Sequence, residues 1–191
     1  MSGKIEHIFL FGHRKQHGKD TCCDILESIL SHRNRGYCRM SFAKRLKEMA
    51  AKEYNLDVNR MDDDEYKSSY PSHLDKKSVR EMLIHIGCRE RKKDPSFWAK
   101  HATSDIIKSG HKIGMVSDFR FPNEAMGLEN CGKIHKILVH RPNGKFVSDG
   151  ADDQLPDVDS YWDHVIMNDD DSHTWKSTLV SKVKEVLENY V

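Results

Sequence analysis

Two rhythms of apolar residues run along this chain. Unbroken apolar runs such as Ile8-Phe-Leu-Phe11 and Ile113-Gly-Met-Val116 read as strands buried on both faces. Stretches in which apolar residues recur every three or four positions read as helices with one buried stripe. In chain order, residues 5–11 form a first strand and residues 19–31 a helix carrying Ile25, Leu26, Ile29 and Leu30. Residues 37–42 make a second short strand. A helix over 44–54 has Leu46, Met49 and Ala50 on one face. Residues 55–77 are polar and irregular, and their acidic run, residues 62–65, reads as a solvated loop. A helix over 78–86 ends at Gly87. Pro95 opens the next, which passes through Trp98 and Ile106 to Gly110. The strand 113–116 leads into Ser117-Asp-Phe-Arg120. Pro122 suits the first position of a further helix and Gly132 its stop. Residues 134–140 form a strand ending before Pro142, and 143–159 a loop expected to be mobile. Residues 164–167 form a last strand. A terminal amphipathic helix over 174–190 presents Leu179, Val183, Val186 and Leu187.

Strands alternating with helices imply an α/β protein with a parallel sheet covered on both sides. Ligands of such sheets bind at the carboxyl ends of the strands, where Gly12, Asp118 and Arg141 all fall. The 191 residues suit one domain. It divides into a core (1–43 and 112–191), a helical insertion over about 44–111, and a lid over about 141–160. The insertion is too long for a simple crossover.

The net charge of +1 argues against a nucleic-acid or acidic-membrane partner. No apolar run approaches the roughly 18 residues of a membrane span, and residues 1–6 lack a signal-peptide core. Five cysteines without a C-x-x-C pair read as reduced thiols in a cytoplasmic protein.

The segment from Gly12 to Thr21 carries the clearest chemistry. A strand, a basic loop, Gly18-Lys19 and a helix make the layout of a P-loop. Backbone amides of such a loop cradle phosphates, its lysine reaches the β and γ phosphates, and the helix dipole adds to both. Gly12, His13, Arg14, Lys15, Gln16, His17, Gly18, Lys19, Asp20 and Thr21 are therefore the expected donor-phosphate site. Five residues separate the glycines where four are usual. Asp20 stands where a magnesium-binding hydroxyl normally sits.

Phosphoryl transfer further needs a magnesium-organising acid and several cations. Asp118 follows an apolar strand directly and is expected, with Asp20, to hold Mg²⁺, Asp118 through water; its alternative is a helix cap or turn residue. Lys19, Asp118, Arg120 and Arg141 form the expected catalytic set. Arg141 and Asn168, at the ends of the last two strands, are expected on the donor-base side. The insertion would hold the acceptor through Lys44, Lys47, Lys67, Arg80, Arg91 and Trp98, together with Arg120. Arginine suits a phosphate because its planar fork binds two oxygens. The alternatives are ion pairs with acids such as Glu81 or Glu90, and core packing for Trp98 and Phe97.

Several pieces of the chain resemble the deoxynucleoside monophosphate kinases of bacteriophages. They are His17-Gly-Lys-Asp-Thr21, Ser41-Phe-Ala-Lys-Arg-Leu-Lys47, Val79-Arg-Glu-Met-Leu83, Asp94-Pro-Ser-Phe-Trp98, Val116-Ser-Asp-Phe-Arg-Phe-Pro-Asn-Glu-Ala125 and Val139-His-Arg-Pro142. The resemblance implies a three-layer P-loop NTPase fold like that of adenylate and thymidylate kinases. It implies transfer of the γ-phosphoryl group of ATP or dATP to a dNMP, with Mg²⁺, in the cytoplasm of a host cell. Partners would be small nucleotides, with a homodimer left open. The chain is also similar to animal phosphomevalonate kinases, through the Gly-Lys-Asp loop, a Leu-Lys-Glu helix start, the Val-Ser-Asp-x-Arg strand end and Gly150-Ala-Asp-Asp153. Phe121-Pro-Asn-Glu-Ala125 weighs for the nucleotide kinases, because the mevalonate enzymes continue differently there. A P-loop switch without an acceptor is the non-enzyme alternative.

Overall fold

Side chains alternate along β1 (His7–Gly12), and that alternation sets the architecture. Phe9 and Phe11 face one side and Ile8 and Leu10 the other, and none is more than 1% exposed. A strand so buried belongs at the centre of a doubly covered sheet. The computed structural model describes residues 5–12, 16–142, 154–156, 159–169 and 174–190. In it β1 is the middle of five strands. The order is β2 (Tyr37–Met40), β3 (Ile113–Phe119), β1, β4 (Lys133–His140) and β5 (His164–Met167), with every neighbouring pair parallel.

Helices cover both faces, so this is an α/β fold with an all-parallel sheet. Phe9, Phe11, Met115, Ile137 and Val139 pack against α1 (Lys19–His32) and α7 (Trp175–Glu188), through Leu26, Leu30, Leu179 and Val183. Ile8, Leu10, Val116 and Leu138 pack against α2 (Phe42–Tyr54) and α5 (Phe97–Ser109), through Phe42, Ala50, Trp98 and Ile106. Because all strands run the same way, Gly12, Met40, Phe119, His140 and Met167 finish at one end of the sheet.

The helical insertion is more regular than its polarity implies. Residues 55–77 contain α3 (Asp64–Ser68), whose N-cap Asp63 accepts from the amide of Glu65. Tyr66 of this helix is buried, and its hydroxyl accepts from the amide of Asp57. A cap and one buried ring thus fold a segment that reads as loop. The helix α4 (Val79–Lys93) starts with a capping box in which Ser78 and Glu81 satisfy each other's amides. It does not stop at Gly87. That glycine is buried inside the helix, beside Leu46 of α2, and the cap is Asp94. Arg89 ties α4 to α2 through two bonds to Glu53, at 2.6 and 2.8 Å.

Two further boundaries differ from the sequence reading. The helix opened by Pro122, α6 (Pro122–Met126), is one turn long and ends before Gly132. A Cβ on Gly132 would lie 3.0 Å from Ile5, so this glycine permits a close approach and stops no helix. The residues after 153 also rejoin the core. Leu155 and Trp162 are both buried against it.

Candidate active site

Two glycines shape the end of β1. A Cβ on Gly12 would lie 2.5 Å from the Trp162 ring, so the packing of that ring demands glycine. Gly18 has φ of +102°, and a Cβ there would lie 2.8 Å from the Asn168 amide nitrogen. Lys19 opens α1 and is 7% exposed. Gly18 is the N-cap and has no side chain to satisfy the first amides of α1. Those amides and the positive end of the helix are disposed to meet an anion. His13, Arg14 and Lys15 lie outside the described residues, as does 143–153 of the expected lid.

His17, just before Gly18, is 3% exposed. Its Nδ1 accepts from the amide of Arg141 at 3.1 Å, and its carbonyl accepts from the Asn168 side chain at 3.0 Å. The backbone of Asn168 in turn donates to the carbonyl of His140 at 2.7 Å. Arg141 and Asn168 are thus held against the loop, at the ends of β4 and β5.

Asp118 is strongly engaged. One carboxylate oxygen accepts from the Ser41 hydroxyl at 2.7 Å and the Ala43 amide at 2.8 Å, and the other from the Phe42 amide at 3.0 Å. The acid at the end of β3 therefore caps α2 from a distance, the cap role left open by the sequence. A carboxylate offers about four acceptor positions, so one remains for a further donor such as water. Beyond it, Glu124 is 3% exposed and accepts from the amides of Arg120 and Phe121, at 2.9 and 3.1 Å. Burial pushes its carboxyl up to about 8, with the amide of Arg120 opposing and the charge of Asp118 adding. Arg91 lies over the Phe121 ring, 3.5 Å from its centroid, and 3.9 Å from Glu124.

A cavity of about 590 Å³ opens beside the first turn of α1 and runs along the free edge of β2. Asp20, Arg39, Ser41, Lys44, Lys47, Asp62, Asp105, Lys108 and Ser117 line it, with no aromatic side chain among the described residues of its walls. Arg39 pairs with Asp20, Asp24 and Glu27 of α1, and Lys47 pairs with Asp62.

Of the expected acceptor residues, this cavity gathers Lys44 and Lys47. Lys67 and Arg80 instead share Asp64, at 3.0 and 3.2 Å. Arg91 is held at the Phe121 corner. Trp98 is 3% exposed, and its indole N–H donates to the Gly87 carbonyl, so its ring is part of the core. Arg120 follows β3 outside the cavity walls, its amide on Glu124. Asp20 stands at the cavity rim with its carboxylate 78% exposed, and Thr21 follows it in α1. Among the described residues, no three His, Cys, Asp or Glu gather as metal ligands.

Sequence reading missed Arg39, Lys108 and Trp162. Each meets the site only through tertiary packing, and no local pattern marks it. Ser41 and Ser117 lay in recognised motifs without a role.

The carboxyl ends of the parallel strands thus gather the glycine-led start of α1 and, beside it, a cavity whose described walls carry four cations and three carboxylates. The sequence profile of the phosphomevalonate kinase family matches residues 10–131. That is more than half of the chain, which therefore belongs to this family. Membership implies a phosphotransferase that uses ATP. It also makes the second of the two resemblances, not the phage nucleotide kinases, the one that carries family support. No curated protein matches the chain. Among the described residues, no helix is long and apolar enough to cross a membrane.

Proposed function

We propose that this protein is a P-loop kinase that transfers the γ-phosphoryl group of ATP to a small aliphatic phosphomonoester, phosphomevalonate being the acceptor the family favours. The observation that carries the choice of acceptor is the cavity lining. Among the described residues it offers Arg39, Lys44, Lys47 and Lys108, set against Asp20, Asp62 and Asp105, the hydroxyls of Ser41 and Ser117, and no ring on which a base could stack. A nucleotide acceptor would leave its base without an aromatic face. A short polyanion needs only cations and hydroxyls.

The corner Phe121-Pro-Asn-Glu-Ala125, which weighs for nucleotide kinases in the sequence, has a structural explanation independent of substrate. Glu124 satisfies two amides of the corner, Pro122 starts α6, Asn123 donates to the carbonyl of Pro95, and Phe121 packs under Arg91. Such a motif serves the turn after β3 whichever acceptor the enzyme takes.

In this reading the first turn of α1 holds the donor phosphates, and Lys19 neutralises charge that spreads over the β and γ oxygens as the bond breaks. Lys44 and Lys47 orient the acceptor phosphate towards that point. Mg²⁺ is bound in kinases through one or two carboxylates, waters and the phosphates themselves. Asp20, exposed at the rim, and the remaining acceptor position of Asp118 fit such a loose set. The metal would neutralise the β and γ oxygens.

The test is a coupled ADP-release assay with phosphomevalonate, dGMP, dTMP, dCMP and dAMP as separate acceptors. Turnover with phosphomevalonate alone is expected. Turnover confined to a deoxynucleotide would overturn the choice of acceptor, and tight ATP binding without any acceptor-dependent release would mark a switch.

A further inference from the structure

We infer that His17 is a positioning residue for phosphoryl transfer, fastening the phosphate loop to the carboxyl ends of β4 and β5 through its imidazole and its carbonyl. The inference rests on the reading of residues 12–18 as the donor-phosphate loop.

The geometry forms a closed circuit. The His17 ring accepts from the amide of Arg141, the first residue beyond β4. The His17 carbonyl accepts from the side chain of Asn168, the first residue beyond β5, and the amide of Asn168 returns to the carbonyl of His140. Two ends of the sheet and the loop are thereby linked by three hydrogen bonds, just before Gly18 and Lys19. The ring is 3% exposed and packs edge-on to His140, with centroids 5.6 Å apart. A loop that must place amides on phosphate oxygens profits from being held before the ligand arrives.

The chemistry of the imidazole makes this link conditional. A backbone N–H can only donate, so Nδ1 of His17 must present its lone pair, and the ring proton belongs on Nε2. An imidazolium has no lone pair and cannot accept this bond. Among the described residues, His140 and Arg141 at the end of β4 face the His17 ring. Protonation of His17 would place a positive charge beside Arg141 and break the bond to its amide.

The test compares His17→Leu and His17→Asn with the full-length wild type. The dissociation constant of a fluorescent ATP analogue is read from pH 7.5 down to 5.5, and thermal melting is recorded alongside. At pH 7.5, Leu should weaken ATP-analogue binding about tenfold, the scale of one lost buried hydrogen bond. Asn places an amide oxygen near the position of Nδ1 and cannot be protonated there, so it should restore most of that affinity. On acidification the wild type should weaken relative to Asn, while protonation of the phosphates themselves acts on both proteins alike. Unchanged affinity in a folded Leu variant would overturn the inference. So would a pH dependence of the Asn variant parallel to the wild type. Absence of ATP-analogue binding by the wild type would overturn the loop reading together with this inference, whereas binding lost only in Lys19→Ala would leave that reading standing and refute the role of His17.

Discussion

Two buried histidines, at opposite ends of the same sheet, do different work. His135, near the start of β4, is 1% exposed, and its Nε2 lies 2.9 Å from Nδ1 of His7. The Tyr190 ring packs tilted against it with centroids 3.8 Å apart, and the Tyr190 hydroxyl meets His164 at 2.7 Å. These side chains satisfy one another and seal the amino-terminal end of the sheet. His17 is nearly as buried, yet its partners are the backbone of Arg141 and the side chain of Asn168, and its own backbone joins the circuit. Burial alone does not tell a structural histidine from a positioning one. What the ring is bonded to does: side chains that close on themselves at one end, the main chain just beyond β4 at the other.

The contrast between the two ends can be broken in order of effect. The largest loss is expected from Lys19→Ala at the functional end. Removing the group that neutralises the transferred phosphoryl should cost kcat about a hundredfold or more. Near wild-type turnover in single-turnover kinetics would detach Lys19 from the chemistry.

Next come Lys44→Ala and Lys47→Ala in the cavity. Each should raise the acceptor KM about tenfold with the ATP KM nearly constant, since a charge-assisted contact to phosphate is worth ~1.5–3 kcal/mol. Arg80→Lys and Lys67→Ala, whose side chains share Asp64, are the controls and should leave both constants close to wild type. Steady-state kinetics in both substrates decides it. A strong acceptor defect in Arg80→Lys would move the acceptor site towards α3 and α4.

Glu124 gives a smaller effect, read in stability. Its folded carboxyl is pushed up to about 8 by burial, whereas in the unfolded chain it titrates near 4.5. The folded state therefore binds the extra proton, and this contribution to stability is full below pH 4.5 and is lost as pH rises towards 8. Urea midpoints of the wild type should fall relative to Glu124→Gln over that range. A constant difference would show that Glu124 keeps one protonation state throughout.

The smallest effect belongs to the opposite end. Burial, then the charges of His7 and Lys133, push His135 down to about 4. Protonation thus favours the unfolded chain, and stability is lost as pH falls from about 6.5 towards 4. Replacing His135 by Gln should flatten the acid limb of a urea-midpoint profile and leave ATP affinity at neutral pH unchanged. An unaltered acid limb would assign it to other groups.

The fold was readable from the sequence wherever the signal was local. Apolar runs located the strands, and Gly18-Lys19 marked the start of α1. Gly87 and Gly132 misled because a glycine stops a helix only if its backbone turns left-handed. Gly87 instead lies inside α4, and Gly132 permits a close approach to Ile5. Gly110, at φ of +69°, is the terminator the pattern implied. The cavity was legible only in part. Lys44 and Lys47 lie one turn apart on a recognisable helix, whereas Arg39, Ser117 and Lys108 come from three other elements. Trp162, which dictates Gly12, is distant in sequence and carries no motif. Trp98, expected at the acceptor with core packing as its alternative, lies on the buried face of its helix.

The central claim, phosphoryl transfer to a phosphomonoester, is tested most directly by ³¹P NMR of the protein with ATP, Mg²⁺ and phosphomevalonate. The account predicts that the phosphomonoester singlet is replaced by the two coupled doublets of a diphosphate ester while ADP signals grow in step, and that Lys19→Ala abolishes both. Growth of inorganic phosphate with the phosphomonoester singlet intact would contradict it.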